Sequence, residues 1–206
     1  MQYDVIIIGS GLGGLYVGCL LSRYGMSVLL LERQKHLGGC MQSYVRDGYK
    51  FDTGLHYVGG LGEGQSLYSD FKDVGLMNLA WKRLDSEGFD RIVIGEKTYN
   101  FAEGLENFYE TLLREFPKEK EGLREYINML KTQRGNIDTF SISAYEYLKG
   151  VVKNPLLLNV LSGASFKTEL NRDIFPLFSF IENNASYIES SWRLKGDGDM
   201  LVDTLV

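Results

Sequence analysis

Gly9-Ser10-Gly11-Leu12-Gly13-Gly14 and, further on, Glu32 have the types and spacing that hold the diphosphate and a ribose of a dinucleotide. In a β-α-β unit Gly9 turns the chain off a strand. Gly11 lets the backbone approach a pyrophosphate with no Cβ in the way, and Gly14 lets the helix pack tightly on the strand. That helix presents free N–H groups and about half a positive charge to the phosphates. Glu32 closes the next strand 18 residues after Gly14, where a carboxylate accepts hydrogen bonds from ribose hydroxyls. A lone glycine motif is a weak signal; strand, glycines, helix, strand and acid in one register are a strong one.

Several elements must position these residues. Val5-Ile6-Ile7-Ile8 reads as a strand buried on both faces, residues 15–24 as the helix and Val28-Leu29-Leu30-Leu31 as the second strand. Gly38-Gly39 follows with Ser43 nearby, and two adjacent glycines allow a second close approach to the dinucleotide. Residues 42–46 and 49–51 flank Asp47-Gly48, a strong hairpin signal. Residues 52–64 are glycine-rich and irregular, and a helix is expected over 65–74. Three segments, 80–84, 89–95 and 98–101, read as an antiparallel meander. Helices are expected over 105–115 and 119–134, punctuated by Pro117, and again over 144–149 and 155–162. Gly196-Asp197-Gly198-Asp199 looks like a turn and N-cap before an amphipathic helix.

The expected fold class is α/β: a Rossmann-like β-α-β unit followed by an α+β segment with the meander and helices. The division is a dinucleotide-binding segment at 1–75, a partial substrate or cap unit at 76–195, and the start of a returning helix at 196–206. No third βα unit is visible, and the final helix shows neither a glycine stop nor a basic last turn. The chain is therefore expected to be the truncated, N-terminal part of a longer protein.

With 22 Lys and Arg against 27 Asp and Glu, the net charge is −5, and no basic block offers a nucleic-acid surface. Cys19 and Cys40 have no metal-ligand spacing and form no disulfide framework. The apolar start lacks a basic leader, and Asp4 precedes it, so it does not read as a signal peptide. No stretch reaches transmembrane length. A soluble, cytoplasmic chain is expected, with peripheral membrane association left open.

Residues 4–43 resemble the flavin-binding start of the FAD-dependent oxidoreductases that include phytoene desaturases, carotenoid isomerases and retinol saturase, with amine oxidases as more distant relatives. Phe51-Asp52-Thr53-Gly54-Leu55-His56-Tyr57-Val58-Gly59-Gly60 is similar to the segment that runs beside the isoalloxazine in that family, and 195–206 looks like its turn and helix back toward the flavin domain. The resemblance is strong over 1–60 and loose over 76–190. It implies FAD held by Gly9, Ser10, Gly11, Leu12, Gly13, Gly14, Glu32, Arg33, Gly38, Gly39, Cys40 and Ser43. Family members commonly carry an arginine after the glycine pair, where this chain has Cys40. The resemblance also implies a complete enzyme of twice this length or more, so this polypeptide alone is expected to be inactive and to hold FAD poorly.

Flavin carries the redox chemistry and protein supplies position and electrostatics. The resemblance implies desaturation, saturation or isomerisation at carbon–carbon double bonds of an apolar, carotenoid- or retinoid-like polyene. The electron donor or acceptor stays open, NAD(P)H among the choices. The rivals are an amine-oxidase-like flavoenzyme, a non-catalytic dinucleotide-binding fragment, and NAD as the sole dinucleotide. His56 is the catalytic candidate, to orient substrate, hydrogen-bond near the flavin or move a proton; the alternative is a ring satisfied by loop carbonyls. Arg33 lies either along the adenine or free in solvent, and His36 reads as solvated. No metal constellation is evident. The aromatic stretch 140–190 reads either as a lining for the polyene or as ordinary helical core.

Overall fold

The computed structural model of the chain describes residues 2–206, the side chains of 166 and 167 excepted. It divides into two compact units, one reaching to Lys82 and including Trp192–Val206, the other Arg83–Ser191.

In the first unit β1 (Val5–Ile8) and β2 (Val28–Leu31) form a parallel pair, Val5 opposite Val28 and Ile8 opposite Leu31. The connecting helix α1 (Leu12–Arg23) starts one turn earlier than the apolar periodicity suggests, because its first turn is the glycine loop itself. It covers the Ile7 side of β1: a Cβ at Gly14 would overlap the Gly9 carbonyl, and one at Gly18 would stand 3.4 Å from Ile7 Cδ1. The other side is uncovered, with Ile6 60% and Ile8 87% exposed. Burial of β1 on both faces is thus corrected. Alternating side chains point to opposite faces, and only one face of this two-stranded sheet has a helix against it.

β3 (Ser43–Arg46) and β4 (Tyr49–Asp52) form the expected hairpin, with Asp47 at φ 52° and Gly48 at φ 80° making its two-residue turn. Two successive left-handed residues match the twist of antiparallel strands. The stretch expected to be irregular contains a short strand, β5 (Val58–Gly59), and the following helix α2 is confined to Tyr68–Asp73. The first strand of the expected meander, β6 (Trp81–Arg83), does not continue into the next ones. It belongs to a sheet of order β5-β9-β6, where β9 is Ser191–Leu194. A short strand announces itself locally, but its partner here lies far along the chain. The final helix, α8 (Asp199–Leu205), packs Leu201, Val202 and Leu205 into a core with Leu15, Met41, Phe71 and Leu76.

In the second unit β7 (Asp90–Ile94) and β8 (Lys97–Phe101) make an antiparallel hairpin. Five helices follow: α3 (Leu105–Glu115), α4 (Lys120–Thr132), α5 (Ala144–Val151), α6 (Pro155–Ser162) and α7 (Leu177–Glu189). Ser143 and Asn154 cap α5 and α6 by accepting first-turn N–H groups, and Pro155 fills the first position of α6. Phe175, Leu177, Phe180, Ile181 and Ile188 of the 140–190 stretch are core, whereas Phe140 and Ile174 are exposed; Phe101–Phe108, Phe108–Tyr126 and Tyr126–Phe180 ring centroids are 5.0, 5.8 and 6.2 Å apart. Helix α7 escapes the sequence reading, although Leu177, Phe180, Ile181, Asn184, Ala185 and Ile188 keep the helical period of a buried face.

Candidate dinucleotide site

The glycine loop leaves β1 with Gly9 at φ 100° and its N–H donating to the Leu31 carbonyl at 2.8 Å. Left-handed backbone at that point suits glycine alone. Gly11 caps α1 with no side-chain hydrogen bond, so none of the first-turn N–H groups is closed off by a capping hydroxyl or carboxylate. A Cβ built on Gly9, Gly11 or Gly13 would meet nothing within 4 Å. The space beside the helix start is open, and the residues bordering it carry no side chain to fill it.

Ser10 is fully buried and tied to the ribose-acid candidate. Its N–H and hydroxyl both donate to Glu32 Oε2, at 2.8 and 2.5 Å, while the Gln34 N–H donates to Oε1 at 2.7 Å. The Ser10 hydroxyl above all, then the Gln34 and Ser10 amides, hold the Glu32 carboxyl down at about 2, so it is ionised at any physiological pH. The spacing of Ser10 and Glu32 did not announce this contact. A serine between the first two glycines, with an acid at the end of the neighbouring parallel strand, is the signal that could have found it.

The second glycine pair closes onto the first loop. The Gly38 N–H donates to the Ser10 carbonyl at 2.9 Å, and a Cβ on Gly39 would lie 3.1 Å from the Gly11 Cα. Gly9, Ser10, Gly11, Leu12, Gly13, Gly14, Glu32, Gly38 and Gly39 are thereby drawn into one place. The remaining candidates are spread around it. Arg33 is exposed beside Glu32. Cys40 is exposed on a short 3-10 turn, with its backbone against Gly54, whose Cβ would come within 2.8 Å of the Cys40 carbonyl oxygen. Gly54 thus brings the 51–60 segment up to the glycine pair. His56 lies in a bend of that segment and is exposed. Ser43 is tied to α8: its N–H donates to Asp199 Oδ1 at 3.2 Å, and its hydroxyl sits beside the same carboxylate.

Among the described residues no group of three His, Cys, Asp or Glu side chains could hold a metal, and no helix is long and apolar enough to cross a membrane.

Residues 7–74 match the NAD(P)-binding Rossmann-like domain. Over 134 residues, 63% of this chain, the sequence is 35% identical to human all-trans-retinol 13,14-reductase. Over 138 residues, 62% of the chain, it is 32% identical to prolycopene isomerase 1 of an Oncidium hybrid cultivar. Each match covers 22% of the relative, so the chain spans about a fifth of the length of these curated relatives. Among solved structures, a Pyrococcus furiosus protein superposes with a TM-score of 0.67 over 98% of this chain and 47% of that one, at 21% identity. Cyclohexylamine oxidase from Brevibacterium oxydans superposes with a TM-score of 0.65 over 100% of this chain and 49% of that one, at 16% identity. Identities this low establish the fold alone. The sequence matches go further: over the stretch they cover, the chain is similar to the all-trans-retinol 13,14-reductases and prolycopene isomerases, and its residues 7–74 match a Rossmann-like dinucleotide-binding domain.

Proposed function

We propose that the chain is the FAD-holding part of an oxidoreductase that acts on carbon–carbon double bonds of an apolar polyene. One observation carries the cofactor assignment: a doubled glycine cradle, Gly38-Gly39 closed on Gly11, beside an uncapped helix start with open space in front of it. FAD fits these residues. The N–H groups at the start of α1 suit the diphosphate, and the macrodipole favours its charge there. Glu32 is ionised, and its Oε1 takes fewer protein hydrogen bonds than Oε2, which leaves acceptor capacity for a ribose hydroxyl. Arg33 is free to lie along the adenine. When bound, the flavin supplies the redox chemistry at the substrate's double bond.

The chain's own residues bind and orient the cofactor. His56, two residues beyond Gly54 in the segment that abuts Cys40, is the candidate to move a proton or to orient a substrate, and Cys40 offers backbone rather than charge. The C=C assignment is supported by identities of 32–35% to the reductases and isomerase, against 14–16% to the amine oxidases that share the fold. The apolar substrate is inferred from the same relatives. The electron partner is a choice between NAD(P)H and another carrier.

Titration of the purified chain with FAD and with NADH, followed by fluorescence, tests the reading. FAD should bind better than NADH, weakly enough to be lost on desalting. Gly11→Ala places a methyl group in the open space and should weaken FAD by about tenfold or more, a 1.4 kcal/mol effect. No FAD binding at millimolar concentration, or an unchanged Gly11→Ala variant, would overturn it.

A further inference from the structure

Lys50 belongs to no motif and stands on β4, opposite Val45 of the hairpin. Its ammonium lies 2.7 Å from Asp197 Oδ2 and 2.7 Å from Asp199 Oδ2, at the start of α8. The same turn is held twice more to the hairpin. Asp52 Oδ1 accepts the Gly198 N–H at 2.9 Å, and Asp199 Oδ1 accepts the Ser43 N–H at 3.2 Å. Two carboxylates therefore converge on one ammonium. Lys50 is held above the usual lysine range by Asp197 and then Asp199, and Lys50 in turn holds the Asp199 carboxyl low. A single exposed ion pair is worth little, but one cation that separates several like charges acts as a network. Removing it leaves two like-charged carboxylates, Asp197 and Asp199, without their shared cation.

What the network holds in place is the second glycine pair. From α8, Val202 Cγ2 sits 2.5 Å from where a Gly38 Cβ would stand, and Gly198 lies against the Met41 carbonyl with no room for any side chain. Gly38 hydrogen-bonds Ser10, and Gly39 abuts Gly11. From α8 to Gly38-Gly39 to Gly11 each contact is backbone or methyl against glycine, which leaves little slack to absorb a shift of α8.

We propose that Lys50 is a positioning residue for the dinucleotide cradle: it latches the start of α8 to the β3–β4 hairpin and so holds Gly38-Gly39 against Gly11. The proposal rests on the dinucleotide reading for its consequence, but the latch itself is visible without any ligand. Lys50 touches no cofactor. It acts through α8.

The test compares the 206-residue chain with its Lys50→Met and Lys50→Arg variants by amide hydrogen exchange and by FAD titration. The Val202 amide, bonded to the Gly198 carbonyl, reports the first turn of α8, and the Gly38 amide, bonded to the Ser10 carbonyl, reports the closure of the glycine pair; Leu29 and Leu30 on β2 are the control. In Lys50→Met, exchange at Gly38 and Val202 should rise about tenfold while β2 changes by less than about twofold. The Kd for FAD should rise by about tenfold, and Lys50→Arg should restore both. Unchanged exchange at Gly38 and Val202 overturns the latch. A uniform rise that includes β2 also overturns it, since Lys50 would then be a general stabiliser. Faster exchange with an unchanged Kd removes its role in positioning the cradle. If the unsubstituted chain takes no FAD at all, the cofactor reading falls, and the exchange pattern alone decides whether Lys50 holds the glycine pair.

Discussion

The aromatic core of one unit and the first strand of the other treat apolar residues in opposite ways. Arg83–Ser191 buries Phe101, Phe108, Tyr126 and Phe180 to 1% exposure or less, whereas the unit with the glycine loop leaves Ile6 and Ile8 of β1 60% and 87% exposed. Both stretches are apolar in sequence. The difference lies in layers: the aromatic unit closes helices and a hairpin around one core, while β1–β2 is a two-stranded sheet with a helix on one face. Apolar character states what a residue would gain from burial, and only a covering element delivers it. The chemistry-bearing residues belong to the open unit, whose loops present backbone and carboxylate where a ligand can reach them.

The largest expected effect breaks the aromatic side of the comparison. Phe108→Ala, at a site with no solvent exposure, should cost about 3–5 kcal/mol and melt Arg83–Ser191. Differential scanning calorimetry with amide exchange would read it, and β2 amides should keep their protection. Their loss alongside would show that both units unfold as one block. Next in size, Gly14→Ala forces a methyl group onto the Gly9 carbonyl and should cost about 1–3 kcal/mol, with loss of FAD binding and no change in the aromatic unit. Normal FAD affinity in that variant would mean α1 need not sit close to β1.

The smallest effect is a pair of opposite pH slopes. Burial pushes the Asp90 carboxyl up to about 6 from an ordinary 3.8. The folded unit therefore takes up a proton that the unfolded chain does not, and Arg83–Ser191 should gain stability as pH falls from 6 toward 3.8. Glu32 is the reverse: its carboxyl is depressed from 4.5 to about 2, so its contribution is complete above 4.5 and is lost as pH falls toward 2. Unfolding midpoints measured across this range should flatten in Asp90→Asn for the first slope and in Glu32→Gln for the second. Parallel slopes in both units would contradict the assignment.

Much of the glycine cradle was legible because each of its parts is local. Strand, turn, helix and acid follow one another within residues 5–32, and the Asp47-Gly48 hairpin needs only its own two left-handed residues. The partners of Ser43 and β6 were not legible. The Ser43 N–H has its partner, Asp199, 156 residues on, and β6 reads as part of a meander until β9 pairs with it. Helix α7 was legible in its spacing but was obscured by its density of aromatic residues.

By itself, then, the sequence determined the dinucleotide loop, its acid and the turns, because backbone conformation and a short ladder are settled by neighbouring residues. Only the tertiary structure decided that Ser10 would hold Glu32, that Gly39 would close on Gly11, and that Lys50 would face two aspartates at the start of α8. Those contacts join residues distant in the chain, and their energies depend on distances of a few ångströms that no local pattern records.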